Sequence, residues 1–241
     1  MRPIPNLRWF ETTLQRLHEG RPLPRRVAVE DGALYRYEKQ DIQSAVLLKA
    51  TRYISGLHAG DVLLKLGFVQ ELGSLQRSLA DFAEDAQFLA TACILGELTP
   101  LHEEFLTSFW EEEPTLQDYS QNQRNRAEVP RKKILSYLAR ATNGGTPDHN
   151  TIAVGKYLSR FFSGYVHGAA PAIMDMFNPR TSQFDVTGLT NLSILKDHEY
   201  DFQNYLFRGV VLIVTVARVL EKQDILKEAS DLFQALKPHY T

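Results

Sequence analysis

Apolar residues recur every three or four positions over most of this chain. That spacing places them on one face of a helix, and it is strongest from Leu75 to Leu95. It predicts helices over residues 9–19, 38–58, 61–96, 130–141, 150–166, 197 or 201 to 223, and 224–237, with Thr99-Pro100 capping a further one. Because no strand alternation and no fixed-period repeat accompanies it, the pattern predicts an all-α, up-and-down bundle of about five long helices with short accessory helices.

Glycine and proline residues indicate where these helices end. Gly60-Asp61 predicts a stop followed by a new N-cap, and a further break is expected at Gly67 or Gly73. Residues 20–32 are expected to form a loop or a short extended piece. The polar stretch 113–130 lacks sustained periodicity, which predicts a linker or a mobile loop.

The chain has 241 residues, of which 44% are apolar and 23% charged, as in a folded globular protein. No shift in composition divides it. We therefore expect one domain, in which an N-terminal helix and loop (residues 1–37) pack on a helical bundle (residues 38–241). The formal net charge of −2 gives no general attraction to nucleic acid or to an anionic membrane. Residues 124–133 are the most basic local stretch, and they fit either an RNA contact or a solvated loop.

The location of the protein is predicted from what its N-terminus and its apolar runs contain. The first residues carry charges and prolines where an export signal would need an apolar core. The longest apolar run, VVLIVTVA at residues 210–217, is far shorter than the roughly 20 residues that cross a bilayer. We therefore expect a cytoplasmic protein without a membrane contact. The single cysteine, Cys93, cannot form a disulfide within the chain.

Two related stretches join an arginine to a histidine through a Ser-Gly pair: RYISGLH at residues 52–58 and RFFSGYVH at residues 160–167. In the second, Arg160 and His167 are seven positions apart, which is two helical turns, so both side chains lie on one face. A guanidinium can bind a phosphate, and a histidine can transfer a proton near neutral pH. The pair is therefore a candidate metal-free site for cleaving a phosphodiester.

The same residues also fit a purely structural interpretation. Glycine inside a helix usually reflects a close neighbour, because it destabilises the helix by roughly 1 kcal/mol relative to alanine. A histidine at a helix C-terminus also interacts favourably with the helix dipole. Exposure of His167 in a polar groove facing Arg160 favours chemistry, whereas burial of its ring, hydrogen-bonded to a backbone carbonyl, favours packing.

A second constellation lies in RSLADFAEDAQFLA, residues 77–90, where Arg77, Asp81 and Glu84 accompany an apolar stripe. Arg77 and Asp81 have the i,i+4 spacing of a helical ion pair. These charges either form a solvated face or supply a carboxylate that orients His167 or holds a positively charged partner. No Glu-x-x-His motif, close His or Cys pair, Gly-rich phosphate loop or dinucleotide fingerprint accompanies them, so neither a metal nor a cofactor is expected.

A helix carrying Arg77 and Glu84, followed by a later helix that ends in SGYVH at residues 163–167, resembles a group of uncharacterised bacterial helical proteins. More distantly, the chain is similar to HEPN domains over residues 38–220, at the level of helix order. The resemblance implies a bundle of four to five helices that is often dimeric. It also implies, as in many HEPN domains, a metal-independent ribonuclease of a toxin–antitoxin or phage-defence system, whose signature is an arginine, four to six residues and a histidine.

By this resemblance, Arg160 holds the phosphate and His167 acts as the acid/base. RNA and a second copy of the chain are the expected partners. The alternative is a non-catalytic helical module that dimerises and binds a protein or a small ligand. The residues expected to surround or support the pair are Ser163, Tyr165, Arg77, Asp81 and Glu84.

Overall fold

The structure, a computed structural model, describes residues 5–29, 32–111, 129–141 and 149–240. The predicted linker at residues 113–130 lies outside them except for its last two residues. The described helices are α1 (Leu7–His18), α2 (Ile42–Lys65), α3 (Val69–Leu95), α4 (Pro100–Trp110), α5 (Arg131–Ala141), α6 (His149–Val166), α7 (Ala170–Met174), α8 (Leu192–Val219) and α9 (Gln223–Leu236). The described strands are β1 (Arg25–Val29), β2 (Gly32–Arg36), β3 (Phe177–Asn178) and β4 (Gln183–Phe184). The predicted all-α helical bundle is confirmed.

The three longest helices, α2, α3 and α8, form the centre of the bundle, and each packs against the other two. α6 packs on α3, α5 packs on both α3 and α6, and α1 and α9 pack on α8. The apolar stripes that the sequence shows meet in one core, which is why burial of these faces stabilises the bundle. Its largest fully buried side chains include Tyr53, Phe10, Phe88, Ile213 and Ile225.

α2 continues through Gly60, so the predicted stop at Gly60-Asp61 is wrong. A β-carbon at Gly60 would lie 2.5 Å from Cε2 of Phe202, which means that this glycine admits the ring of a residue on α8. Asp61 is no N-cap, and its Oδ2 pairs instead with Nζ of Lys65 at 2.6 Å. The break comes at Gly67, one of the two predicted positions, where the φ of +77° is left-handed and favours glycine.

α8 begins at Leu192, capped by Asn191, which is earlier than the predicted start at residue 197 or 201. Within the described residues, it is the one helix that is long and apolar enough to cross a membrane by length and composition. Of its most apolar 18-residue window, 61% is buried inside the bundle, as in the core helix of a folded domain. The expected absence of a membrane contact stays a prediction.

The segment expected to be a loop or a short extended piece forms the first strand of a hairpin. β1 pairs antiparallel with β2, and Val27 lies opposite Leu34. The sequence did not reveal β2, because five residues of GALYR are too few to show a clear alternation. All residues of β1 are exposed. A second hairpin, formed by β3 and β4, follows α7.

Candidate active site

The candidate active site lies at the C-terminal end of α6: Arg160 is in the helix, and His167 directly follows its last residue, Val166. An α-helix turns by about 100° per residue, so seven residues bring the second side chain to within about 20° of the first. Both side chains are exposed to solvent. Helix geometry therefore places Arg160 and His167 on the same face, as their spacing predicts.

α6 ends immediately after this face, in a left-handed glycine cap. Gly168 has a φ of +61°, and the amide of Ala169 donates to the carbonyl of Gly164 at 2.8 Å. The amide of His167 donates to the carbonyl of Ser163 at 3.0 Å. This is the pattern in which orphan carbonyls of the last turn are satisfied. His167 is therefore a helix-terminal residue, which matches the structural interpretation through the helix dipole. Its exposure does not match the alternative in which its ring is buried.

Gly164 lies between Arg160 and His167, four residues after the first and three before the second. A β-carbon built on it would meet only the β-carbons of Ala169 and Ala172, at ordinary contact distances of 3.7 and 3.9 Å. No close neighbour thus requires glycine at this position within the described residues. Glycine here means that α6 places no side chain between the two candidate residues.

Two aromatic rings flank Arg160, and sequence reasoning did not single them out. Tyr157 is 68% exposed and Phe161 46% exposed. Their ring centroids are 6.4 Å apart, with an angle of 22° between the planes. Positions 157 and 161 are one helical turn apart, which was the signal available in the sequence. They form an exposed aromatic surface within one helical turn of Arg160 in the sequence.

Tyr165 points to the opposite side of α6 and anchors the helix to the bundle. A β-carbon on Gly73 of α3 would lie 2.4 Å from Cγ of Tyr165, so the ring packs directly on the backbone of α3. Its hydroxyl donates to Oδ2 of Asp175 at 2.7 Å. Burial and this carboxylate raise the pKa of the Tyr165 phenol. The structure therefore does not place Tyr165 beside the exposed pair, and Gly73, a predicted break position, is a packing glycine inside α3.

The charged residues of α3 form a separate cluster around Arg131, the first residue of α5. Nε of Arg131 lies 3.1 Å from Oδ1 of Asp81, and its Nη1 lies 3.7 Å from Oε2 of Glu84. Arg77 also pairs with Asp81. Burial raises the pKa of the Glu84 carboxyl, although the nearby positive charge of Arg131 opposes this shift. Among the contacts between described residues, none joins this cluster to Arg160 or His167.

This cluster also changes the interpretation of the basic stretch at residues 124–133. Its Arg131 faces inward, where Nη1 lies 2.6 Å from Oδ1 of the buried Asp85. Lys132 and Lys133 are exposed. The two lysines are therefore the basic side chains of this stretch that the described residues present to solvent.

The first Arg-to-His stretch does not repeat the geometry of the second. Arg52 and His58 are six residues apart, which puts them about 120° apart around α2. The guanidinium of Arg52 lies over the ring of Phe82, 5.1 Å from its centroid. A β-carbon on Gly56 would lie 2.6 Å from Cδ2 of Leu79, so this glycine is a packing residue. The packing interpretation therefore holds for Gly56, whereas His58 lies inside α2 and is not the helix-terminal histidine that the structural interpretation expected.

No group of three or more His, Cys, Asp or Glu side chains within the described part of the chain has an arrangement suited to a metal ion. Comparisons with models of protein families, with curated proteins and with solved structures found no match to this chain.

Proposed function

We propose that this protein is a HEPN-like, metal-independent ribonuclease, with Arg160 and His167 as its catalytic residues. The observation that carries the proposal is the exposure of both side chains at the C-terminal end of α6, at a spacing that helix geometry places on one face. Because residue 164 is glycine, no side chain of α6 itself stands between them, and the nearest side-chain atoms that the structure describes there are the β-carbons of Ala169 and Ala172. The cationic guanidinium and the proton-transferring imidazole then contact the same phosphodiester.

The chemistry requires the RNA, these two side chains and solvent water, which exchanges the proton that His167 does not transfer. The 2′-oxygen of the ribose attacks the adjacent phosphorus, the bond from phosphorus to the 5′-oxygen breaks, and a 2′,3′-cyclic phosphate forms. His167 transfers a proton in this step, either from the 2′-hydroxyl or to the leaving 5′-oxygen. Arg160 stabilises the negative charge that accumulates on the non-bridging oxygens, and it stays protonated throughout.

The exposed aromatic surface of Tyr157 and Phe161 supports RNA as the substrate. Proteins bind single-stranded RNA by stacking unpaired bases on aromatic side chains, with cations beside them for the phosphates. Here two rings and one guanidinium lie within one turn of α6. The net charge of −2 gives no general attraction to RNA, so binding depends on this local surface.

A second copy of the chain is part of the proposal, because the resemblance to HEPN domains includes a dimer. A role in a cytoplasmic toxin–antitoxin or phage-defence system is proposed on the same basis. Size-exclusion chromatography with light scattering measures the oligomeric state. We expect twice the mass of the 27.5 kDa chain. A monomer that still cleaves RNA would contradict the dimer and leave the site unchanged.

The proposal is tested by cleavage of a mixed RNA pool in EDTA. We expect wild-type protein to cleave, and Arg160→Ala and His167→Ala each to lose about 100-fold or more of the rate. Both side chains are exposed, so the variants are expected to fold, which circular dichroism checks. The products should carry 2′,3′-cyclic phosphates, and a pool with 2′-O-methyl groups should resist cleavage.

The first Arg-to-His stretch supplies matched controls. Arg52→Ala and His58→Ala change the same residue types on a different helix, and we expect them to cleave like the wild type. Loss of activity in the controls but not in the α6 variants would show that the site lies in residues 52–58 and not in residues 160–167. If the folded wild-type protein does not cleave RNA, the proposed ribonuclease activity is wrong. The non-catalytic interaction module then becomes the better proposal.

A further inference from the structure

A cavity of about 580 Å³ lies where α3, α4 and the start of α5 meet, and its lining on α3 begins at Arg77, four residues after Gly73. Lys49 of α2 forms part of its wall. Binding sites for small molecules typically have volumes of about 300–1,000 Å³. The cavity is therefore large enough for a small organic ligand, and it is not part of the Arg160–His167 face.

The charged side chains of this cavity form a fixed network. Asp85 is 7% exposed, and it accepts hydrogen bonds from Nζ of Lys49 at 2.7 Å and from Nη1 of Arg131 at 2.6 Å. Oδ1 of Asp81 forms an ion pair with Nε of Arg131, 3.1 Å away, and also pairs with Arg77. Each carboxylate thus holds two cations, which keeps all of them in defined positions before any ligand arrives.

The cavity wall carries more positive than negative groups. Among the described residues that line it, three cations face two carboxylates, which is a formal excess of one positive charge. Each arginine has five N–H donors, and the ion pairs to Asp81 and Asp85 engage only part of them. Glu84 also approaches Arg131, at 3.7 Å, but it does not line this cavity. An anion that enters therefore meets donors that are already oriented.

Aromatic rings make up the apolar part of the wall. Nζ of Lys49 lies 5.7, 5.4 and 5.1 Å from the ring centroids of Phe82, Phe105 and Phe109. The planes of Phe105 and Phe109 differ by 14°. Flat apolar faces beside fixed cations suit a ligand that has both a planar ring and a negative charge.

We propose that this cavity binds a small planar aromatic anion, whose ring contacts Phe82, Phe105 and Phe109 and whose carboxylate or phosphate contacts Arg77, Lys49 and Arg131. The proposal does not depend on ribonuclease activity. A ligand here would contact α2, α3, α4 and α5 together, and it would therefore stabilise this side of the bundle by binding the folded state.

The test uses three probes with one ring system: 1-naphthoate, 1-naphthyl phosphate and the neutral 1-naphthamide. Isothermal titration calorimetry measures their affinities for the full chain. We expect at least one anion to bind about tenfold more tightly than the amide, because hydrogen bonds to a charged group are stronger. The tighter of the two anions would identify the natural ligand as an aromatic acid or as a phosphorylated aromatic compound.

Amide chemical shifts locate the binding site without any variant. The anion should perturb the amides around Phe105 and Arg131 and leave those of α7 unchanged. Equal affinity for the neutral amide, shifts confined to another surface, or no binding at millimolar concentration would each overturn the proposal. In the last case, the charged cluster is a structural network that connects α2, α3 and α5.

Two variants and one control test the residues. Arg131→Gln and Phe109→Leu are each expected to weaken the anion about tenfold. Arg140→Gln on the same helix is the matched control, because Nε of Arg140 bonds only to the carbonyl of Ser136 among the described contacts and lies outside the cavity. Should Arg131→Gln fail to fold, Phe109→Leu decides, and unchanged affinity in that variant contradicts the proposal.

Discussion

Residues 52–58 lie in the middle of α2, whereas residues 160–167 form the exposed C-terminal end of α6. The residue after the arginine is the fully buried Tyr53 in the first stretch and the half-exposed Phe161 in the second. The glycine of the first packs under Leu79, and that of the second has no close neighbour among the described residues. The two stretches show that similar short sequences can pack into the core in one helix and form an accessible face in another.

The largest expected difference between the stretches concerns the aromatic residue after the arginine. Tyr53→Ala should lower the free energy of unfolding by about 3–5 kcal/mol, because it empties a fully buried site. Phe161→Ala should lower it by only about 1 kcal/mol, because about half of this residue is already exposed to water. Urea denaturation of both variants measures the difference. Similar losses would show that Phe161 is buried in solution, for example by a second copy of the chain.

The two glycines provide the next test. Gly56→Ala should lower the free energy of unfolding by about 1–3 kcal/mol, because its β-carbon would lie 2.6 Å from Cδ2 of Leu79. Gly164→Ala should raise it by up to about 1 kcal/mol, since alanine favours the helix and meets only ordinary contacts. Thermal unfolding reports both changes.

Gly164→Ala also has a functional consequence that Gly56→Ala lacks. If a phosphate occupies the space between Arg160 and His167, the added methyl group should lower RNA cleavage while the protein becomes more stable. Unchanged cleavage by a stabilised Gly164→Ala would contradict this space as the binding position. A destabilised variant would instead indicate a close neighbour of Gly164.

The smallest expected effect isolates one hydroxyl of the first stretch. The hydroxyl of Tyr53 donates to the carbonyl of Tyr205 at 2.8 Å in the core. Tyr53→Phe should therefore lower the free energy of unfolding by about 1 kcal/mol. The matched change is Tyr205→Phe, which removes a buried hydroxyl that has no hydrogen-bond partner among the described residues, so its effect should be neutral or stabilising. Equal losses in the two variants would indicate that Tyr205 has a partner in solution.

Much of the fold follows from local pattern, and the errors occur where a distant contact decides. Helical spacing predicted the bundle, and the left-handed Gly67 lies at a predicted break. The stop predicted at Gly60 was wrong, because the ring of Phe202 packs against that glycine from α8. A glycine that ends a helix and a glycine that admits a neighbouring ring look identical in a single sequence.

The candidate sites divide in the same way. The spacing of Arg160 and His167 predicted their common face, because helix geometry alone fixes it. The inward direction of Arg131 was not predictable, since its carboxylate partners lie about 46 residues earlier, on α3. Nor did the sequence indicate that Phe105 would meet the charged residues of α3 in one cavity.

By itself, the sequence of this protein determined an all-α bundle, the positions of most helices and the shared face of Arg160 and His167. All of these depend on the 3.6-residue period of the helix, which acts between near neighbours. Only the tertiary structure decided that Gly56 is closely packed whereas Gly164 has only ordinary contacts among the described residues, and that Arg131 points inward. Those outcomes depend on contacts between residues far apart in the chain, and local spacing carries no information about such contacts.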